Sequence, residues 1–560
     1  GAEVVFSVDC TKLKEYFLPG EREFDRIYFN FPHCGRKAGV VKNRQLLACF
    51  FHSCAEVLAE QGEVHVALCN GQGGTPADQP RREWHNSWQI VAVAAGAGFI
   101  LSDVQPFKAE TIPGYKCTGY RSQDKSFCVE GALNHIFTRS TPPPCPTPVS
   151  CKTQLGSQKV YFQVPQVLVD KINRGFLDVN SSHPVRTIKE KLSAGLSQAF
   201  PLQNISSCLP LLHQGHPHGV CHSSIFWIAL SPGEAPSTEG TPQGLANAVW
   251  FSRFGQEDTD RNVQEGCPIP KQFYLRPSLV PHAQAIIQTG AFSPGTLHVL
   301  SGPVFRQCRI TPHSMPVFHE LLVVLAVSRG TENSCIQMLV DNIKTTVSSL
   351  HQGVPGVKPS ISLQEAASFG TELNDFAAFE CQLGEIQHFL CVGTDPDPSG
   401  CCVGVIRTDP DELKSSELVV VSASLNLDLL AMLLCGISDW RMLWTSDRRF
   451  LQQFPEGELR LFKSFSLYPP SYVHDVSFWV PDGEEFDEVA FHTLARRVSG
   501  EMVVSIQLRD SFQQPGTGRR SLCYRVTFQS CDRALGCQEA AEMQLRFRED
   551  MQQHLGVTLR

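Results

Sequence analysis

Ser466–Val480 reads SLYPPSYVHDVSFWV, and the pattern it starts runs to Arg560. Val476, Phe478 and Val480 alternate with their neighbours, the period of a strand with one buried face. Phe486, Val489, Leu494 and Val498 then recur at helical intervals up to Gly500. Met502–Phe512 and Ser521–Ser530 read as two further strands joined by QQPGTG, whose Pro and Gly mark a loop. An amphipathic helix is expected from about Gln538 to His554, and VTLR supplies a last strand. Strand–helix–strand–strand–helix–strand is the ferredoxin-like βαββαβ order. That order alone names no function.

The residues carry more than the order. SLYPPSYVHDVSFWV, VVSIQLRDSF (residues 503–512) and GRRSLCYRVTFQSCDRAL (residues 518–535) resemble the ferredoxin-fold anticodon-binding domain that ends some phenylalanyl-tRNA synthetases. The resemblance implies a domain over 466–560 that grips the anticodon end of a tRNA. Residues 468–560 carry 10 arginines, no lysine and 13 acids. Any RNA contact must therefore rest on a local arginine patch, for which Arg509, Arg525 and Arg533 are the candidates.

The chain of 560 residues is long enough for three or four domains. Its net charge of −8 argues against a general nucleic-acid sponge. No apolar run is long enough to span a bilayer, so no membrane partner is expected. The 22 cysteines are scattered without a C-x-x-C pair, which points to reduced thiols in an intracellular protein and to no metal. The expected location is cytoplasmic, with nucleolar and mitochondrial as the alternatives.

At the front, Glu3–Val8 (EVVFSV) is expected to form a strand ending in Asp9. A second strand at Phe24–Phe29 ends in Asn30-Phe31-Pro32-His33. A helix over about 42–61, a strand at Glu63–Leu68 and a helix over Ser87–Ala97 follow. The alternation predicts a parallel sheet with ligands beyond the carboxyl ends of its strands, where Asp9 and Asn30 would stand. FDRIYFNFPHCGRK, GEVHVALCNGQ, SWQIVAVAAGAGFIL and IPGYKCTGYR resemble the methyltransferases that modify N3 of a uridine in fungal large-subunit ribosomal RNA. The resemblance covers about residues 1–138 and implies a Rossmann-like fold using S-adenosylmethionine, with Asp9 near the cofactor's adenosine.

In that family Asn30–His33 stands where base-modifying methyltransferases keep Asn/Asp-Pro-Pro-aromatic. Asn30 would hold the base edge and Phe31 would stack on its ring. His33 is the local candidate for the base that takes the uridine N3 proton, against the plainer reading of a loop histidine that caps or packs. The family's glycine-rich loop should lie ahead of Asp9, where the sequence has only Gly1–Val8. The domain therefore reads as lacking its first strands, and cofactor binding is expected only with that loop. Gly71–Gly74 (GQGG) opens no helix and reads as an ordinary loop.

Residues 140–158 are rich in Pro, Ser and Thr and read as a stiff linker after a domain at 1–139. Between 159 and 465 three stretches resemble the phenylalanyl-tRNA synthetase core: HPVRTIKEKL, FYLRPSLVPHAQAII with GPVFRQCRITPHSMPVFHELLVV, and SLNLDLLAMLLCGISDWRMLWTSDRRFLQQF. They imply a class II synthetase-like antiparallel sheet, and a monomer as in the organellar enzyme. Arg306 stands at the family's motif-two arginine, but its acidic partner is Cys308. Gly-Leu-Gly-Leu-Glu-Arg of motif three reads Ser424-Leu425-Asn426-Leu427-Asp428-Leu429, and Glu320 and Leu322 replace the pair expected to hold the amino group. Adenylation is thus expected to be lost, since a leucine cannot contact ATP phosphates. Trp440, Trp444 and Phe450 read as core.

The sequence accordingly predicts an α/β and α+β multidomain protein directed to RNA, a tRNA or ribosomal RNA rather than DNA. The leading reading is a uridine-N3-type methyltransferase fused to a dead synthetase-like docking module. The alternative is a non-catalytic RNA-binding or scaffold protein, and an active synthetase is the remote third.

Overall fold

The computed structural model describes residues 3–17, 23–35, 38–117, 129–142, 150–155, 158–172, 174–205, 212–214, 220–228, 230–232, 251–252, 273–281, 287, 293–351, 360–368, 372–394, 397–409, 417–483 and 485–560. The chain forms two compact units. One gathers residues 1–143, 463–484 and 498–560, and the other 144–462 and 485–497.

The first unit holds two sheets. In the N-terminal one, β1 (Phe24–Asn30), β2 (Leu58–Leu68), β3 (Phe99–Pro106) and β4 (Leu133–Arg139) take the order β1-β2-β4-β3. Only β1 and β2 run parallel; β4 is antiparallel to both of its neighbours. The predicted all-parallel sheet is thus corrected to a parallel pair extended by an antiparallel hairpin. The helix Val40–Val57 crosses from β1 to β2 and buries Leu47, Phe50, Phe51 and Cys54 against Val64, Val66, Phe99 and Phe137. A parallel pair requires such a crossover connection.

Glu3–Val8 is not a strand. Val4 and Phe6 are 72% and 82% exposed, and the segment has no ladder partner among the described residues. Its alternation of apolar residues lacked the neighbour that makes a strand. The second helix is shorter than expected, Ile90–Ala95, because Ser87 is extended and Gln89 is left-handed at φ +52°, so neither continues a helix. Part of the expected linker is also structured: Ser150–Leu155 pairs antiparallel with Gln158–Gln163.

The C-terminal sheet has the order Val503–Gln513, Arg520–Phe528, Tyr472–Trp479, Thr558–Leu559. With helices at Glu488–Ser499 and Cys537–His554, this is the predicted βαββαβ, second, third, first and fourth strand across the sheet. Val476, Phe478, Tyr524, Val526 and Phe528 are buried, as the period-two pattern requires. This sheet's module meets the N-terminal one through Leu467, whose N–H donates to the Leu101 carbonyl at 2.7 Å, and through Ala534 N–H to Ser140 Oγ at 2.8 Å. Leu467 also packs on the first core.

The second unit is built on a seven-stranded sheet ordered Ser360–Glu365, His388–Thr394, Asp397–Asp409, Leu418–Asn426, Val317–Ser328, Leu297–Phe305, Leu202–Asn204. All its pairings are antiparallel except the last, which is parallel. Trp440, Trp444 and Phe450 are buried, at 2%, 5% and 1% exposure, as expected of core. Residues 485–497 join this unit. Arg496 donates to the Arg309 and Ser314 carbonyls at 3.1 and 3.3 Å, and His492 Nδ1 accepts the Ile310 N–H at 2.8 Å.

Candidate base-binding cleft and nucleic-acid face

Parallel β1 and β2 bring Asn30 and Ala67 side by side at their carboxyl ends. The chain then turns sharply. Phe31 has φ +54°, a left-handed conformation rare for a bulky residue, and its N–H donates to the Ala67 carbonyl at 2.9 Å. A strained residue at a strand end lifts its side chain out of the sheet, and such strain collects at ligand sites. Phe31 meets Phe107 edge-on, with centroids 5.0 Å apart, and Phe107 meets Tyr115 in the same way at 5.9 Å. Tyr115 is followed closely by Cys117, and both stand beyond Phe107 in the chain. Burial first, then Cys117, raises the Tyr115 phenol above its usual value.

His33 is exposed, and its Nδ1 accepts the Gly35 N–H at 3.0 Å. A neutral imidazole with Nδ1 accepting carries its proton on Nε2. The local bond therefore gives His33 a donor to offer the cleft, and the role of proton acceptor is poorly served. Trp88 stands 6.2 Å from the His33 ring.

The GQGG loop follows β2. Asp78 accepts from the N–H groups of Gly71 (2.8 Å) and Thr75 (2.9 Å). Trp88 N–H and Ile90 N–H reach back to the carbonyls of Gln72 and Gly73 at 2.7 and 3.2 Å. At Gly74, φ +78°, a Cβ would lie 2.2 Å from Ser87 Oγ, so the close approach admits only glycine. The loop is structural, as expected, and opens no helix.

Asp9 does not end a strand. It is exposed and accepts from Thr11 N–H and Oγ1 at 2.9 and 2.7 Å, which closes a turn before Leu13–Glu15. Those Thr11 bonds hold its carboxyl below the usual value. A turn-capping aspartate is a weak candidate for holding an adenosine. Among the described residues no cluster of three or more His, Cys, Asp and Glu could hold a metal ion.

The arginines at the C-terminus separate into two kinds. Arg525 faces Asp475 across the strand register and grips it with Nε and Nη2, both at 2.8 Å. Arg533 is bound to Glu539 at 3.0 Å, with a side chain only 10% exposed. Two of the three predicted contacts are thus already engaged with carboxylates. Arg509 is exposed and has no hydrogen-bond partner among the described residues.

The sequence reading missed a neighbouring cluster. Trp479, Ser521 and Phe512 lie in register across three strands, on the face opposite Phe478. Trp479 and Phe512 stand edge-on at 6.2 Å. Arg560 lies 5.5 Å from both rings and Arg519 lies 5.1 Å from Trp479. An open sheet face bearing aromatic rings and guanidinium planes is what unpaired bases stack on. The signal was present in SFWV, since period two puts Trp479 on the solvent side of a strand whose other face is buried.

In the second unit, Arg306 is buried beside a cavity of about 160 Å³ lined also by Phe318, Phe376, Phe379 and Asn426. Its Nη2 is bound to Glu380, whose other oxygen takes Arg407 at 2.7 Å. Leu429 is 1% exposed, part of the packed core. Asp428 holds His319 at 3.0 Å, and Glu320 accepts the Leu279 N–H at 2.8 Å, its carboxyl pushed up mainly by burial.

A family model described as rRNA (uridine-N3-)-methyltransferase BTM5-like matches residues 1–119, and a ferredoxin-fold anticodon binding domain model matches residues 466–560. The chain is 49% identical over 576 residues to ferredoxin-fold anticodon-binding domain-containing protein 1 of Homo sapiens, spanning 100% of this chain and 90% of the human one. The chain belongs to that family. Its homolog in Mus musculus is 48% identical, over 100% of this chain and 91% of its own length. The chain is also similar to a synthetase: phenylalanine–tRNA ligase, chloroplastic/mitochondrial, of Arabidopsis thaliana is 29% identical over 312 residues, 54% of this chain and 68% of the ligase.

Proposed function

We propose that the chain is an RNA-directed protein whose front end is a uridine-N3-type, S-adenosylmethionine-dependent methyltransferase and whose ferredoxin-like module docks RNA, a tRNA or ribosomal RNA. The observation that supports the reading is the pair Asn30–Phe31, set at the carboxyl ends of a parallel strand pair by a left-handed turn, with Phe107 edge-on to Phe31 and Trp88 beside His33. Asn30 supplies the hydrogen-bonding edge, Phe31 a ring to stack on, and His33 an Nε2–H for a base carbonyl. Fixing a flipped base in this way is the positional part of base modification.

The methyl donor is a separate matter. Among the described residues Asp9 alone is a candidate toward it, and its carboxylate already closes a turn with Thr11. These residues do not of themselves make a cofactor site, and no catalytic step is derived through the donor. The synthetase-like unit is read as inactive. Arg306 is neutralised by Glu380, Leu429 fills the place of the motif-three arginine, and a cavity of about 160 Å³ is below the size of ordinary cofactor sites.

The test is methyl transfer. The protein is incubated with unmodified tRNA or ribosomal RNA transcripts and labelled S-adenosylmethionine, and digested nucleosides are resolved. N3-methyluridine that disappears in Asn30→Ala supports the reading; its absence with a wild-type form that binds S-adenosylmethionine removes the enzyme. The second reading, a non-catalytic RNA binder, is favoured by the complete Trp479–Phe512–Arg560 face. RNA binding that survives the absence of methylation would establish it.

A further inference from the structure

Trp84 is 45% exposed, and residues 81–86 are all exposed with it. An indole so placed adds little to the core, where tryptophan usually lies. The turn that carries it is nevertheless held from several sides. The Trp84 carbonyl accepts from Ser87 Oγ at 2.8 Å and from Gln89 Nε2 at 3.2 Å. Arg44, from the helix Val40–Val57, donates to the His85 carbonyl at 2.8 Å and to the Ser87 carbonyl at 2.6 and 3.0 Å. Fixing the backbone of one residue costs about 1–2 kcal/mol of conformational entropy. These bonds offset that cost for a ring left in water, so the ring is held in place before a ligand meets it.

Two contacts anchor the start of the turn to the carboxyl end of β2, the end at which Asn30 pairs with Ala67. Asn70, just past β2, accepts the Gln79 N–H at 2.9 Å and donates to the Gln79 carbonyl. The Arg82 side chain lies over Gly71, where a Cβ would stand 3.1 Å from its Nε. At the far end of the turn, the Trp88 ring lies 6.2 Å from that of His33. Arg81 and Arg82 are exposed and form no ion pair among the described residues, whereas Arg525 and Arg533 are held by carboxylates.

A flat ring with guanidiniums beside it suits an unpaired base and its phosphates. A protein partner would need apolar ground around the indole, but the turn offers Arg81, Arg82, Glu83, His85 and Asn86. We propose that the turn at 81–86 is a second RNA contact of the N-terminal domain. Trp84 stacks on an unpaired base beside the target, and Arg81 and Arg82 meet the phosphates. The inference rests on the reading of Asn30 and Phe31 as the holders of the target base. It gives that site a substrate class, RNA whose target base has an unpaired neighbour, as in a loop, rather than a base flipped from a continuous duplex.

The experiment measures binding of the full chain, by fluorescence anisotropy, to a short single-stranded RNA and to a blunt duplex of the same sequence. Parent and variants all carry Trp479→Ala, which removes the ring of the C-terminal face. Trp84→Ala should weaken binding to the single strand about ten-fold and leave the duplex unaffected, and Trp84→Phe should restore most of the loss. Arg81→Ala with Arg82→Ala should flatten the salt dependence by about two phosphate contacts. If Trp84→Ala binds the single strand as its parent does, or if the parent binds no RNA, the inference is overturned and the turn is left to a protein partner. Equal losses on strand and duplex would show a contact without stacking and overturn it as well. Phe31→Ala separates the inference from the reading beneath it. A loss with Phe31→Ala and none with Trp84→Ala keeps the base-binding reading and removes the turn. A loss with Trp84→Ala and none with Phe31→Ala upholds the turn as an RNA contact and overturns the base-binding reading instead.

Discussion

Arg306 and Glu380 form an ion pair in the interior of the second unit, with both side chains at 5% exposure or less. Arg407 takes the other Glu380 oxygen, and the Arg306 guanidinium lies 3.9 Å above the Phe379 ring. Burial alone would raise the Glu380 carboxyl, but the two arginines hold it below its usual value. A motif-two arginine free to meet phosphate would not be so neutralised. Glu380→Gln should therefore destabilise the unit by about 3–5 kcal/mol, because it leaves two buried guanidiniums sharing no charge. Urea unfolding monitored by Trp440 and Trp444 emission measures this. A loss under about 1 kcal/mol would mean that the pair is not formed in solution.

Two buried histidines make the same unit sensitive to acid. His183 Nδ1 accepts the Val185 N–H at 3.3 Å while its ring stacks 3.7 Å from Phe176; His492 Nδ1 accepts the Ile310 N–H. Burial first lowers both to about 3. Each folded value is depressed below the unfolded one, so the stabilisation is complete above pH 6.5 and is lost as pH falls toward 3. The slope is about 1.4 kcal/mol per pH unit for each histidine in that window. Unfolding free energy measured from pH 7 to pH 5 should fall, and His492→Gln should remove about half of the slope. An unchanged slope in that variant would show that His492 is not held neutral.

Much of the fold could be read directly from residue patterns, because periodicity reports burial. Val476, Phe478 and Val480 alternate and are buried; Leu192 and Leu196 form a helical stripe on Pro184–Ala199 and are buried too. Glu3–Val8 failed for the complementary reason. Alternation records which residues favour a buried face but not whether a neighbouring strand exists to pair with. At the strand end, Asn30 and Phe31 were visible as a motif, but the packing of Phe107 on Phe31 was not, because a long stretch of chain separates the two rings. Likewise Arg525 and Arg533 were visible as arginines, whereas their engagement with Asp475 and Glu539 depends on register and on a turn that composition does not encode.

The synthetase-like reading turns on Leu429. It is buried at 1% exposure in the helix Leu427–Cys435, where Asn426 caps the first turn by accepting the Leu429 N–H at 2.9 Å. Returning an arginine to that position would place an unpaired charge in the core. Leu429→Arg should cost about 3–5 kcal/mol of stability and should produce no phenylalanine-dependent pyrophosphate exchange. Exchange activity in this variant, or in the wild type, would contradict the reading of an inactive core.

The open sheet face makes the sharpest claim about RNA. Trp479 and Phe512 offer rings in register, and Arg560 and Arg519 lie against them, whereas Arg533 is tucked onto Glu539. If bases stack there, Trp479→Ala should weaken binding of a short single-stranded RNA by about 1–3 kcal/mol, and Arg533→Ala should do far less. Asp475→Asn releases Arg525 from the carboxylate that now holds it through two bonds at 2.8 Å. That variant should bind RNA more tightly than wild type, with a dependence on salt steeper by about one phosphate contact. Fluorescence anisotropy over a salt series reads both quantities. Equal losses for Trp479→Ala and Arg533→Ala would mean that RNA does not use this face, and an unchanged salt slope in Asp475→Asn would leave Arg525 a structural residue of the sheet.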